Sequence, residues 1–176
     1  MSVMNRQLNL YSAVSLRKSI RKYKNSYLPV EVLNNITELI EHCNKLNKDI
    51  TINGIITNNT ENMKKIFKGV GKYIAVSAPH YIVISSEIKE NYLENVGFVF
   101  ENIILNLTCM GVGTCWVGAP LNKENVADVV KIPAKESPIL LVAFGDPEDI
   151  GNMYRNSESE FKRKSMDKIC IGEILE

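Results

Sequence analysis

The feature that most constrains the fold is a long apolar segment in the middle of the chain, residues 88–110. Its large apolar residues lie on more than one side of the predicted helix: Val96, Val99, Phe100, Ile103, Ile104, Leu107 and Met110. A helix of this kind has to be covered all round, by the core of its own chain and by a second subunit. Because Glu101, Asn102 and Asn106 interrupt the segment, it is too polar to span a bilayer.

The remaining chain alternates between predicted helices and predicted strands. Helical signals occur at residues 7–16, 26–43 and 58–70 and from Asn122 onward. Strand signals occur in "ITINGII", in "PHYIVIS", in the short extended run of "GVGTCWVGAP" and in "PILLVAFG". Gly54 indicates a bulge or an edge position in the first strand, whereas "PILLVAFG" is typical of a strand buried on both faces. We therefore predict an α+β fold, a small central sheet covered by helices, in a single domain over residues 1–176.

Composition excludes several classes of function. A formal net charge of +1 over 176 residues argues against general nucleic-acid binding. The N-terminus lacks the charged and apolar segments of a secretory signal, so we expect a cytoplasmic protein. Its cysteines are scattered without a CxxC pair and are expected to be reduced: Cys43, Cys109, Cys115 and Cys170. A zinc site at His42, Cys43, His80 and Cys109 is a weak alternative, because these residues lack standard ligand spacing. A catalytic Cys–His pair is equally weak, because nothing local activates a cysteine.

The basic residues are concentrated in "SLRKSIRKYK", residues 15–24. If this segment is extended, Arg17, Ser19 and Arg21 project on one side, and if it is helical the two arginines still share a face. Two guanidinium groups and a hydroxyl suit a phosphate or another oxyanion. The alternative is a solvated basic turn that binds nothing.

Two further stretches also allow two interpretations each. "GVGTCWVGA" is either a helix stop followed by a buried strand with Trp116 in the core, or a run of small residues that lets a flat ligand approach the backbone. It is not a phosphate loop, because GxxxxGK[ST] is absent. The late "FKRKS", with Lys162, Arg163 and Lys164, either stands apart or folds back toward the same anion as the first basic segment.

Taken together, these stretches resemble the nitroreductase family of flavin enzymes, and most closely its short, divergent TM-type branch. The resemblance lies in "SLRKSIRKYK", "EVLNNITELIE", "APHYIVIS", "ENIILNLTCMGVGTCWVGAPL", "PILLVAFGDPED" and the late "KRKS", whose order and spacing match over nearly the whole chain. It implies a nitroreductase-like fold, an interlocked homodimer and flavin mononucleotide (FMN) at the dimer interface.

The resemblance also assigns roles to the residues of the first basic segment. It places Arg17, Lys18 and Ser19 at the FMN phosphate or ribityl chain, and Arg21 beside flavin N1 and O2. A cation beside N1 and O2 favours the reduced flavin, because negative charge gathers there after hydride uptake.

Later in the chain, the family's strand beside the isoalloxazine ring corresponds to Trp116, Val117, Gly118 and Ala119. A backbone N–H, that of Gly118, would donate to flavin N5. Arg163 matches the family's C-terminal phosphate ligand, with Lys162 or Lys164 assisting.

The chain departs from the family in two places. The family's Pro-Ser-x-x-Asn-x-Gln-Pro-Trp motif, which reaches the flavin from the partner subunit, is replaced by "NKLNKDITI", where only Asn47 matches. The segment between residues 57 and 78 is short, which implies a reduced lid over the substrate pocket.

The activity that the resemblance implies is an FMN-dependent oxidoreductase. It would pass hydride from NAD(P)H through the flavin to an acceptor such as a nitroaromatic or a quinone, with no membrane or nucleic-acid partner. No catalytic side chain or metal is required, because the flavin carries the chemistry. Two alternatives remain: a non-catalytic flavin-binding or redox-sensing protein, and an α+β interaction protein without flavin.

Overall fold

The order of helices and strands follows the pattern that the sequence predicts. A computed structural model describes residues 8–66, 76–118, 121–157, 160–161, 164–165 and 168–169. Its elements in chain order are α1 (Leu10–Leu16), α2 (Val30–Glu41), β1 (Ile52–Thr57), α3 (Thr60–Ile66), β2 (His80–Ser86), α4 (Tyr92–Cys109), β3 (Gly113–Val117), α5 (Lys123–Val126), β4 (Ser137–Gly145) and a 3-10 turn at Ile150–Asn152. The predicted α+β class is confirmed.

The strands form one antiparallel sheet of order β1-β2-β4-β3. Strands β2 and β4 are central, which confirms the interpretation of "PILLVAFG" as a strand covered on both faces. All seven residues of β2 are buried, and a bulge lies between Ile84 and Ser85. Strand β1 lies at the edge of the sheet, so of the two positions that Gly54 indicated, a bulge or an edge, the edge position is the one observed.

Helix α4 covers one face of the sheet and supplies six of the fifteen buried residues of the larger core cluster. Six of its apolar side chains are at most 1% exposed: Val96, Val99, Phe100, Ile103, Ile104 and Leu107. Burying one side chain of this size contributes about 1.5–3 kcal/mol, so this face of α4 dominates the packing. The helix begins at Tyr92, later than residue 88, because Asn91 has a left-handed backbone conformation that helices do not continue through.

A close contact between α4 and β1 depends on a glycine. A Cβ atom at Gly54 would lie 2.8 Å from Cζ of Phe100 and 3.1 Å from Cγ2 of Ile82. The missing side chain therefore lets the Phe100 ring pack directly on the strand backbone, which is a further reason for glycine at this position.

A second apolar cluster covers the opposite face of the sheet. It joins Met63 of α3 and Val126 of α5 to alternate residues of the strands, which include Tyr81, Val83, Cys115 and Leu141. The predicted helix start at Asn122 is confirmed, since Asn122 caps α5, and this helix is short because it ends at Val126. Three β-branched residues, Val129, Val130 and Ile132, and a proline follow within the next turns, and such residues propagate a helix poorly.

Apolar side chains also remain on the outer surface of the first and fourth helices. On α1, Tyr11 and Val14 are exposed, and on α4 so are Leu93 and Phe98. Within the described residues no helix is long and apolar enough to cross a membrane. The second subunit predicted to cover α4 stays a prediction.

Candidate functional site

The basic segment runs along the open edge of β3. Ser19 pairs with Thr114 in parallel, and the Ile20 N–H donates to the Thr114 carbonyl oxygen at 2.8 Å. The segment is therefore extended at Ser19, one of the two conformations considered from the sequence. Gly113 permits this approach, since a Cβ there would lie 3.1 Å from the Ile20 side chain.

Beyond Ile20 the segment is fixed to β4 and to the turn that follows it. The Tyr23 hydroxyl lies 2.6 Å from the Ile20 carbonyl oxygen and 3.1 Å from that of Ala143, and it donates toward both. The Lys24 N–H donates to the Asp146 carbonyl oxygen at 2.9 Å. Burial of the Tyr23 phenol raises its pKa, because the phenolate would be desolvated, so this tyrosine stays a neutral donor.

Arg17 turns toward α4 and the neighbouring strand. Its Nε lies 3.4 Å from Oε1 of Glu101, and the Trp116 indole N–H donates to the other carboxylate oxygen of Glu101 at 3.0 Å. The Nη1 atom of Arg17 is buried and has no hydrogen-bond partner among the described residues. One part of the guanidinium group is thus fixed by Glu101, while Nη1 keeps an unused donor.

Lys18 turns in another direction, toward the 3-10 turn after β4. Its Nζ donates to Oδ1 of Asn152 at 2.6 Å and lies 3.6 Å from Oε2 of Glu160. The pKa of Glu160 is lowered, first by the Asn156 N–H that donates to its carboxylate and then by the nearby Lys18 charge. Lys18 is therefore neutralised within the described part of the chain.

Two adjoining cavities lie beside the remaining cations. The larger, of about 790 Å³, is lined by Arg21, Lys22, Tyr23, Lys24, Asn25, Ser26, Tyr27, Thr60, Glu61, Ser77, Ala78, Pro79 and Glu148. The smaller, of about 340 Å³, is lined by Lys18, Ser19, Ile20, Arg21, Lys22, Pro147, Glu148, Asp149 and Asn152. Arg21, Lys22 and Glu148 belong to both, whereas Arg17 lines neither.

The end of β3 has the features expected of both interpretations of "GVGTCWVGA". Trp116 packs against the α4 cluster and Val117 is buried on the opposite face, so the strand contributes to the core. Gly118 follows, and a Cβ atom there would meet nothing within 4 Å among the described residues. The strand therefore ends beside open space that a flat ligand could enter.

Asn47 lies at the other end of α4, in the turn that precedes β1. Its side chain accepts from the Asp49 N–H, and the fully buried Asn95 holds its backbone. The Asn95 side-chain oxygen accepts from the Leu46 and Asn47 N–H groups at 2.9 and 3.2 Å, and its amide donates to the Asn47 carbonyl at 2.8 Å. Asn47 lines neither cavity, so one chain does not bring it to the basic segment.

Three predicted or assisting residues, Ala119, Lys162 and Arg163, lie outside the described residues. Lys164 is described and exposed. Their predicted roles stay predictions.

His80 supports the wall of the larger cavity and was not recognised as part of the site from the sequence. Its Nε2 accepts from the Leu28 N–H at 2.9 Å, and its ring lies 5.4 Å from that of Tyr27. Nδ1 is buried without a partner among the described residues, and burial lowers the pKa of the imidazole. The pattern "PHYIVIS" predicts a buried strand opened by Pro79 and gives no signal of this contact between His80 and Leu28.

The residues present fit a cofactor that combines a phosphate with a flat ring. Arg17 Nη1 and Thr114 Oγ1 are both buried, unpartnered among the described residues, and positioned by the pairing of segment 17–20 with β3. Open space lies beside Gly118 at the end of the same strand. An anionic group and a flat ring could therefore occupy neighbouring positions along this edge.

Comparison with solved structures defines the class of protein. A nitroreductase family protein from Clostridium difficile 630 superimposes with a TM-score of 0.71 at 18% identity, covering 98% of this chain and 100% of that one. A nitroreductase with bound FMN from Desulfitobacterium hafniense DCB-2 superimposes with a TM-score of 0.70 at 16% identity, covering 92% and 100%. The fold is that of the nitroreductases.

Sequence comparison then gives the family. The family model described as "Putative TM nitroreductase" matches residues 9–175, and the chain belongs to this family. A relative from Methanothermobacter thermautotrophicus, named "Putative NADH dehydrogenase/NAD(P)H nitroreductase", is 24% identical over 153 residues, which cover 81% of this chain and 80% of that protein. The resemblance stated from the sequence is confirmed, and the protein is an oxidoreductase of the nitroreductase family.

Proposed function

We propose that the protein is an FMN-dependent oxidoreductase that passes hydride from NAD(P)H to a small acceptor such as a nitroaromatic or a quinone. The observation that carries the proposal is the buried Nη1 of Arg17, which has no partner among the described residues, in the segment that pairs with β3 through Ser19 in a chain of the nitroreductase family. Further support is the Desulfitobacterium structure, which contains FMN, and the Methanothermobacter relative, which is named an NAD(P)H nitroreductase.

The residues of the edge beside β3 would divide the work of holding FMN. Arg17 and Ser19 would bind the phosphate with Arg163, and Lys18 would lie at the phosphate or the ribityl chain. Charged hydrogen bonds of this kind are about twice as strong as neutral ones, so they dominate affinity. Glu101 would keep Arg17 oriented, because its carboxylate already contacts Nε.

At the ring end, the chain supplies backbone and charge. When bound, FMN supplies the two-electron hydride chemistry between the nicotinamide and the acceptor. Trp116, Val117, Gly118 and Ala119 would border the ring, with a backbone N–H directed to N5. Arg21 would lie beside N1 and O2, where its charge favours the state in which the ring carries negative charge.

We further propose that the active form is a homodimer. The outer surfaces of α1 and α4 expose Tyr11, Val14, Leu93 and Phe98, which a second copy would cover. Asn47 would then reach the site of the partner subunit, since it is distant from the basic segment of its own chain. We expect a cytoplasmic location, because the described cysteines are free thiols: Cys43, Cys109 and Cys115.

The test is a visible spectrum of the purified protein with and without added FMN, followed by steady-state oxidation of NADH and NADPH with a nitroaromatic acceptor. The proposal predicts a bound flavin spectrum and acceptor-dependent oxidation. Bound FMN without any oxidation would favour the flavin-sensing alternative, which is suggested by the missing Gln-Pro-Trp motif and the short segment between residues 57 and 78. A colourless protein that binds no FMN would contradict both.

A further inference from the structure

The basic segment divides into a neutralised part and a part with no counter-ion among the described residues. Arg17 contacts Glu101, and Lys18 contacts Glu160. Arg21, Lys22 and Lys24 are exposed, and their side chains form no ion pair or hydrogen bond with any described residue. All three line the larger cavity.

The backbone under these three cations is nonetheless firmly held. The Tyr23 hydroxyl donates toward the carbonyl oxygens of Ile20 and Ala143. The Lys24 N–H donates to the Asp146 carbonyl oxygen, and the Glu148 N–H donates to the Lys22 carbonyl oxygen at 3.1 Å. The side chains are therefore presented from a fixed frame, which lowers the entropy lost when they bind an anion.

The cavity keeps a surplus of positive charge. Two carboxylates, those of Glu61 and Glu148, share the lining with the three cations, which leaves one positive charge in excess. Such a cavity attracts an anionic ligand more than a neutral one of the same shape.

The same cavity offers an aromatic surface. Tyr27 lines it with 63% of its surface exposed, and its ring is backed by the buried His80 ring at 5.4 Å. A supported, exposed phenol ring is suited to stacking against another aromatic ring.

From this combination we propose that the cavity takes aromatic anions as the electron acceptor, with the ring on Tyr27 and a carboxylate or phosphate at Lys24. The inference rests on the proposed function, because it concerns the second reactant of that enzyme. It goes beyond that function in naming the charge of the acceptor and the residue that selects it. Lys24 is the residue that tests the selection of charge in the larger cavity, because it lines only that cavity, whereas Arg21 and Lys22 line both.

The test compares two ligands of matched shape, 4-nitrobenzoate and 4-nitrobenzamide. Their dissociation constants are measured by calorimetry on the oxidised, FMN-loaded protein without a hydride donor, so that no turnover occurs. We expect nitrobenzoate to bind about fivefold more tightly at low salt, and this advantage to disappear at high ionic strength. Lys24→Gln should remove the advantage and Lys24→Arg should retain it.

Two further variants separate charge from stacking. Tyr27→Ala should weaken both ligands alike. Lys131→Gln removes an exposed lysine that lines neither cavity, and it should leave both dissociation constants unchanged.

Equal affinity of the two ligands for the wild type, or an unchanged preference in Lys24→Gln, would overturn the proposal. The same holds if Lys24→Gln raises the dissociation constant of FMN itself, because Lys24 would then serve the cofactor phosphate. Each of these results leaves the FMN-dependent activity intact. Failure of that activity is recognised separately, by a protein that retains no FMN or oxidises no NAD(P)H.

Discussion

Replacing Gly54 by alanine should destabilise the protein although the change adds one methyl group. The new Cβ would lie 2.8 and 2.9 Å from two ring atoms of Phe100, distances that real Cβ contacts essentially never show. The Phe100 ring is fully buried in the α4 cluster, so it cannot move without displacing its neighbours. Overpacking of this kind costs about 1–3 kcal/mol of the free energy of unfolding.

An opposing effect has to be subtracted. Alanine restricts the unfolded chain more than glycine does, which stabilises by about 0.4–1 kcal/mol. The expected net loss is therefore about 1–2 kcal/mol, equivalent to a lowering of Tm by about 2–8 °C for a chain of this size. Urea unfolding followed by circular dichroism should show a lower midpoint with an unchanged m-value.

The matched control is Gly97→Ala, in the exposed interior of α4. A Cβ there would meet nothing within 4 Å among the described residues of its own chain, so within one subunit the favourable helix term gives a gain of about 0.5–1 kcal/mol. The steric argument is refuted if Gly54→Ala is as stable as the wild type. A similar loss in Gly97→Ala would also refute it, because that loss could not come from contact with Phe100.

Four other predictions concern the site and the assembly. Arg17→Ala should weaken FMN binding at least about tenfold in a flavin fluorescence titration, since one charge-assisted bond contributes about 1.5–3 kcal/mol; an unchanged dissociation constant would rule out the phosphate role. Arg21→Ala should lower the two-electron midpoint potential by several tens of millivolts in potentiometry, where about 30 mV corresponds to about 1.4 kcal/mol, and should change FMN affinity less than Arg17→Ala does. A larger loss of potential in Arg17→Ala would mean that the two roles are exchanged. Burial lowers the pKa of His80 below its usual 6.5, so as pH falls the unfolded chain binds a proton before the folded one does. The free energy of unfolding should therefore be lower at pH 5.5 than at pH 7.5 in urea unfolding, and His80→Gln should lack this difference. Light scattering should report a dimer at micromolar concentration and a monomer for Phe98→Lys, and a monomeric wild type would contradict the proposed assembly.

The core elements could be predicted because their signals are local. The apolar positions of α4 recur at helical spacing, and "PILLVAFG" is continuous enough to indicate a central strand, so the sequence alone assigns both correctly. The start of α5 was predicted correctly from the capping residue Asn122, whereas its end at Val126 was not predicted, because no comparable signal marks it. Starts and stops of short helices depend on tertiary contacts that periodicity does not contain.

The site was less predictable, because its contacts join residues distant along the chain. The basic segment is visible in the sequence, but nothing in it says that Lys18 meets Asn152, 134 positions later, while Arg17 meets Glu101 on α4. Glu101 was noticed only as an interruption of an apolar helix, His80 was considered only as a weak zinc-ligand candidate, and Asn95 was not noticed at all. Glu101, Asn95 and His80 each act through a hydrogen bond or an ion pair with a residue far away in the sequence, and no local pattern identifies that partner.

The pairing of segment 17–20 with β3 has a consequence for how the sheet opens. Edge strands exchange their amide hydrogens readily when nothing shields them, yet here the Thr114 carbonyl accepts from Ile20 and the Ser19 backbone lies alongside. The residues proposed to hold the cofactor are thus the same residues that shield this edge. Occupancy of the site should therefore slow hydrogen exchange along β3 itself, and loss of the ligand should loosen one border of the sheet before any other part unfolds.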